Sequence, residues 1–187
     1  MSALYAIPAP LGGRPEDALP AGAIETVRAL RDFAVENAKR ARAFLAGLAM
    51  PCAIRELRIA EIGGDPAPLL EPLRAGRSLG LLSEAGCPAI ADPGASLVEA
   101  AHREGFRVVP LVGPSAIVLA LMASGLEGQR FAFCGYLPRE RKDRDRRIRR
   151  EQLANDSVEF DAKVHATGSD HAQLHEGRRS SHRRLAG

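Results

Sequence analysis

Residues 83–94, "SEAGCPAIADPG", concentrate groups that can do chemistry: two carboxylates, Glu84 and Asp92, and the thiol of Cys87. Gly86 and Gly94 admit backbone close to a ligand, while Pro88 and Pro93 fix the shape of the turn. The backbone groups of Glu84 to Cys87 are thereby suited to a polar small molecule. The same pattern also fits a tight strand-to-helix turn that holds no ligand. As a nucleophile Cys87 would need a base, and only His102 lies in the body of the chain, so the thiol reads as a small packed group.

Other chemistries find less support. His165, His171, His175 and His182 lie in the last quarter of the sequence, and the i, i+4 pair His171 and His175 has no helical pattern around it, so no metal site is expected. "PAPLGGRP" (8–15) is not a G-x-G-x-x-G fingerprint, and no P-loop sequence occurs. The run "RERKDRDRRIRR" (139–150) holds eight basic residues in twelve. Beside Tyr136 it could meet phosphates, but the interleaved acids favour a solvated helix face. Lys39, Arg40 and Arg42 form a second basic group, able either to meet an anionic substrate or to be solvated.

Placing these residues requires the elements around them. Short apolar runs at 3–8, 78–83 and 106–112 predict buried strands, "FAVEN" (33–37) a brief one, and alternation over 54–62 a half-buried edge strand. Helical spacing marks 23–33, 38–48, 67–76 and 94–105, with Asp92 as the expected N-cap of the last and Pro93 its first helical residue. Residues 113–125 predict a nearly all-apolar helix, and 130–138 a final strand. Strands alternating with helices of this length predict a doubly wound α/β domain around a parallel sheet. Ligands in such sheets bind beyond the carboxyl ends of strands, where 8–13, 83–94 and 112–116 all fall.

The 187 residues suit one domain and part of another, and the net charge of +3 is unevenly spread: −1 over residues 1–138 and +4 over 139–187. Cys52, Cys87 and Cys134 are odd in number and widely spaced, which predicts reduced thiols and a cytoplasmic protein. No secretory leader or membrane span is expected. The expected division is an α/β domain over 1–130, a linker and the start of a second domain over 131–150, and a disordered tail over 151–187, where large apolar residues are sparse.

The series "LYAIPAPLGG", "VENAKRARAFL", "LLSEAGCPAIADPGASLV", "VVPLVGPSAIVLALMASGL" and "QRFAFCGYLP" resembles the tetrapyrrole-methylase-like superfamily of S-adenosylmethionine-dependent methyltransferases. Within it the pattern is most similar to the branch of small-subunit ribosomal RNA 2′-O-ribose methyltransferases. The resemblance covers residues 4 to about 138 and implies the N-terminal domain of a two-domain fold with the cofactor in the cleft. It assigns Pro10, Leu11 and Gly12 to a first cofactor loop. Ser83, Glu84, Ala85, Gly86, Cys87 and Ile90 fall to the main one, and Gly113, Ser115 and Ala116 to a third.

Glu36 and Lys39, from the "ENAK" stretch, become substrate-side candidates, with no general base identified. The implied partners are 16S ribosomal RNA or the small ribosomal subunit, and a second copy in a homodimer; no membrane is implied. Glu84 and Cys87 depart from the family's Ser-Asp-Ala-Gly-Thr-Pro, which marks a sibling subgroup whose substrate can differ. A small molecule such as a tetrapyrrole is therefore the alternative acceptor. Nothing after Arg150 matches the family's second domain, so the tail is expected to be an out-of-frame reading of it, and an inactive member with part of the cofactor site is a further reading.

Overall fold

The computed structural model describes residues 2–154. Five parallel strands, β1 (Ala3–Ile7), β2 (Asp32–Val35), β3 (Arg58–Glu61), β4 (Leu79–Leu82) and β5 (Arg107–Pro110), form one sheet in the order β3-β2-β4-β1-β5. All four pairings are parallel, with Leu4 opposite Leu79 and Val108, and Phe33 opposite Gly80 and Ile59. Around it the chain forms α1 (Pro15–Ala18), α2 (Ala21–Ala29), α3 (Ala38–Gly47), α4 (Glu71–Arg74), α5 (Gly94–Arg103), α6 (Ala116–Ser124) and α7 (Arg141–Ala154).

The two-residue period of the strands divides the core in two. Ile7, Phe33, Val35 and Leu82 point to one face, where they bury with Val27 of α2 and Leu45 of α3. Leu4, Ala34, Leu79 and Leu81 point to the other and meet Leu70, Leu73 and Leu97. Gly80 is small because the first face is full: a Cβ there would lie 2.7 Å from both Ile7 Cδ1 and Phe33 Cδ1.

Several expected elements are shorter than their sequence patterns. The helix expected over 23–33 is Ala21–Ala29; its last turn closes when Leu30 N donates to Val27 O, and the chain extends into β2. Over 54–62 only Arg58–Glu61 is strand, because Ile54–Glu56 coils into a 3-10 turn before Arg58 N reaches Arg31 O. Over 67–76 the helix splits into a 3-10 turn, Ala67–Leu70, and α4, since Pro68 and Pro72 lack backbone donors. The assigned α5 starts at Gly94, but Pro93 already has helical angles, φ −68 and ψ −11, and Asp92 caps the helix as expected, its Oδ1 accepting from Gly94 N at 2.8 Å.

β5, expected to be buried, is exposed at Arg107 and Pro110 because it lies at a sheet edge. Residues 130–138, expected to be a strand, are irregular, for no described strand pairs with them. α6 forms as expected, capped by Ser115 and ended by Gly125 at φ 67, but none of its residues is buried. Val118, Leu119 and Met122 instead stand exposed, as do Val112 before the helix and Leu126 after it. Among the described residues no helix is long and apolar enough to cross a membrane. Of the tail expected to be disordered from 151, residues 151–154 instead complete the last turn of α7, and those from 155 onward lie outside the described residues.

Candidate active site

Three loops leave the carboxyl ends of adjacent strands β4, β1 and β5, and hydrogen bonds join them. Ala9 N donates to Gly86 O and Gly86 N to Ala9 O, each at 2.9 Å, an isolated antiparallel bridge between the first loop and the main one. The Cys87 thiol donates to Pro114 O at 3.3 Å, tying the main loop to the third. Burial pushes the Cys87 thiol up, so it keeps its proton for that bond.

Close packing fixes the junction further. Gly86 has φ +71, and a Cβ there would meet Leu11 Cδ2 at 3.4 Å. At Gly113 a Cβ would lie 2.4 Å from Pro8 Cβ, so only glycine lets the third loop pass. Leu11, Gly86, Cys87 and Gly113 thus belong to one junction. Pro10, Gly12, Ser83 and Glu84 line an adjoining cleft of 280 Å3, closed on its far side by Arg40, Ala41 and Phe44 of α3. That volume lies just below the usual about 300–1,000 Å3 of ligand pockets. Ala85 is exposed on the main loop, Ile90 points outward at 48% exposure, and Ser115 and Ala116 open α6.

The main loop is shaped from within by Asp92. Its Oδ1 accepts from Ala89 N at 2.9 Å and from Gly94 N at 2.8 Å. Ala89 and Ala91 both take positive φ, 64° and 58°, a conformation alanine holds only when its surroundings impose it. The second oxygen, Oδ2, is buried without a partner among the described residues. Burial, opposed in part by the two backbone donors, pushes the Asp92 carboxyl above its ordinary value, and the charge of Glu36 adds to the rise.

Glu36 sits just past β2, and its Oε2 accepts from Glu84 N at 3.0 Å. The Glu84 side chain in turn pairs with Arg40 at 2.7 Å. α3 begins behind two further acceptors: Asn37 Oδ1 takes Arg40 N and Glu61 Oε1 takes Ala38 N. Lys39 lies exposed on the same turn of α3, outside the set of residues that line the cleft. The structure therefore brings Glu36 to the main loop and leaves Lys39 on the outer surface. Glu84, a departure from the family pattern, is the residue through which Glu36 and Arg40 meet.

Two contributors have no signal in the sequence. Ala9 and Pro114 act through backbone oxygen or nitrogen, which no side-chain pattern reveals. Phe44 could have been found, since it falls on the inward side of an amphipathic helix that follows a strand. Among the described residues no group of three or more His, Cys, Asp or Glu could hold a metal ion; His171 and His175 lie outside them. The arginine-rich segment forms α7, with Arg146 on Asp143 and Arg147 on Glu151, an acid-interleaved helix as expected. Arg147 also reaches back to Cys134 O, beside an edge-to-face pair of Phe133 and Tyr136.

No family model matches the chain. Individual proteins do match. "Ribosomal RNA small subunit methyltransferase I" of Mesorhizobium japonicum is 38% identical over 139 residues, 73% of this chain and 46% of the relative. The proteins of that name in Escherichia coli O157:H7 and Bacillus subtilis are 34% and 31% identical, over 75% and 86% of this chain. This chain is their homologue. It spans about half the length of these curated relatives, 49% and 54% of the last two. The match with the Bacillus subtilis protein spans 86% of this chain, so wherever it begins it takes in β2 to β5 with the main and third loops.

Proposed function

We propose that the chain supplies the S-adenosylmethionine side of a methyltransferase whose acceptor is small-subunit ribosomal RNA, methylated on a ribose 2′-hydroxyl. The observation that carries this reading is the three-loop junction: Ala9 bonded to Gly86 and Cys87 to Pro114, beside an open cleft, in a homologue of ribosomal RNA methyltransferases. The residues fit the cofactor in kind. The main loop turns on Gly86 and on two alanines at positive φ, so its backbone is presented in a fixed shape. Glu36 and Glu84 put carboxylates beside a cleft that would take a cationic sulfonium.

When bound, S-adenosylmethionine supplies an electrophilic methyl group whose leaving group is a neutral thioether. The chain's part is to orient and to shield, since in-line placement contributes much of the acceleration of such a transfer. Pro10, Gly12 and Ser83 would border the cofactor. Leu11, Ala85, Gly86, Cys87, Ile90, Gly113, Ser115 and Ala116 would shape or flank its loops, while Glu36 holds the main loop through Glu84 N. Lys39 and Arg42, exposed on α3, give it a basic outer edge suited to an RNA backbone.

The division at residue 130 is part of the same reading, with 131–150 leading toward a second domain. So are a cytoplasmic location and a second copy as partner, for which the exposed Val118, Leu119 and Met122 of α6 offer an apolar face. Calorimetric titration with S-adenosylmethionine tests the core of the proposal. Binding is expected, and Gly86→Val, which places a branched side chain at φ +71 against Leu11, should abolish it. Equal binding by the two proteins, or none by either, would overturn the assignment. Transfer of labelled methyl to small-subunit ribosomal RNA tests the acceptor.

A further inference from the structure

At the opposite, amino end of the sheet lies a larger cavity of 480 Å3, well within the range of ligand pockets. Asp32 opens β2 and Arg58 opens β3 at this end, and both line the cavity together with Arg31, Arg77, Tyr5 and Ser78. Asp32 is only 3% exposed. Its Oδ1 accepts from Arg58 Nε at 2.5 Å and its Oδ2 from Arg58 Nη2 at 2.6 Å, a two-pronged contact that already satisfies the carboxylate. Arg77 Nε adds a longer contact of 3.3 Å.

A structural ion pair alone needs no more than Arg58. Yet among the described residues Arg77 donates only through Nε, and Arg31 only through Nη1, to Arg28 O at 3.0 Å and Leu30 O at 2.8 Å. Their remaining guanidinium hydrogens stay available at the cavity wall, on side chains already anchored. Three guanidiniums and one carboxylate leave two net positive charges around the cavity. A phosphate monoester carries about −1.5 to −2 charges near neutral pH and three acceptor oxygens, which matches both the charge and the donors. A phosphodiester carries half that charge.

We propose that this cavity binds a phosphate monoester, as borne by a nucleotide or a sugar phosphate. The site is separate from the three-loop junction and stands whether or not that junction binds S-adenosylmethionine. The test is calorimetry of the full chain with inorganic phosphate, with AMP, and with a short RNA lacking terminal phosphates. AMP and phosphate should bind, and the double variant Arg31→Gln/Arg77→Gln should weaken both by at least about tenfold, the loss expected for charge-assisted hydrogen bonds. Asp32 keeps Arg58 in that variant, so its thermal unfolding should stay near that of the parent protein.

No binding of phosphate or AMP, or binding that the double variant leaves intact, would overturn the site. AMP that S-adenosylmethionine displaces would also count against it, by placing the nucleotide at the junction instead. Tighter, arginine-dependent binding of the RNA would overturn the monoester assignment and make the ligand a nucleic-acid backbone.

Discussion

Replacing Asp92 separates the shape of the main loop from its sequence. In Asp92→Ala the N–H groups of Ala89 and Gly94 lose a charged acceptor at 2.9 and 2.8 Å. Hydrogen bonds to charged groups contribute about 1.5–3 kcal/mol each. Against that loss, the substitution removes Oδ2, a buried oxygen without a partner among the described residues, whose burial costs about 1–3 kcal/mol. The net destabilisation is therefore about 2 kcal/mol, or about 4–8 °C in melting temperature for a domain of this size.

Asp92→Asn keeps an acceptor for both N–H groups and removes the buried charge, so at neutral pH it should cost less than about 1 kcal/mol. The two variants also differ in their response to pH. The Asp92 carboxyl is raised, chiefly by burial, so the folded protein holds its proton more tightly than the unfolded chain does. Asp92 thus favours folding most below the unfolded carboxylate value of about 3.9, and that contribution is lost as pH rises through the higher folded value. Asp92→Asn should accordingly gain on the parent protein as pH rises above about 3.9. Urea unfolding followed by circular dichroism reads the stability, and calorimetry the cofactor affinity. Asp92→Ala with unchanged stability and unchanged affinity would refute the role given to this carboxylate.

Gly80→Ala should destabilise the sheet by about 1–3 kcal/mol, because its Cβ would lie 2.7 Å from Ile7 and Phe33; urea unfolding checks this. Asp32→Asn should cost about 3 kcal/mol at pH 7, at the low end for a buried pair because Arg58 and Arg77 are half exposed. Burial pushes the Asp32 carboxyl up, but its bonds to Arg58 and Arg77 outweigh that and hold it below its ordinary value. The parent protein should therefore lose stability as pH falls below about 3.9, and Asp32→Asn should show a flatter acid limb in melts at stepped pH. Arg40→Ala breaks a largely exposed pair with Glu84 and should change stability by less than about 1 kcal/mol; a larger shift in melting temperature would mean that the pair anchors the main loop.

Much of the arrangement was legible in the residues alone. Runs such as "SLGLLS" and "ALYAIP" are apolar on both sides of a strand, which only a sheet covered by helices on both faces can bury. That pattern, together with glycine and proline at each strand end, was enough to place three loops on one edge. Local chemistry also sufficed for the ends of α3 and α6, where Asn37 and Ser115 accept the first free N–H groups.

The sequence could not show how those loops engage. Ala9, Gly86 and Pro114 meet through backbone atoms, and the backbone is the same at every residue, so residue type carries no record of such contacts. Strand limits failed for a related reason. Residues 130–138 have the composition of a strand, but a strand exists only where a neighbour accepts its hydrogen bonds, and that is decided by the whole fold. Nor could spacing reveal that Asp32, Arg58 and Arg77, distant along the chain, converge at one sheet edge. Composition and periodicity, being local, determined the class of fold and the positions of its loops. Strand order β3-β2-β4-β1-β5 decided which loops and which charges became neighbours, because proximity between distant residues arises only when the sheet assembles.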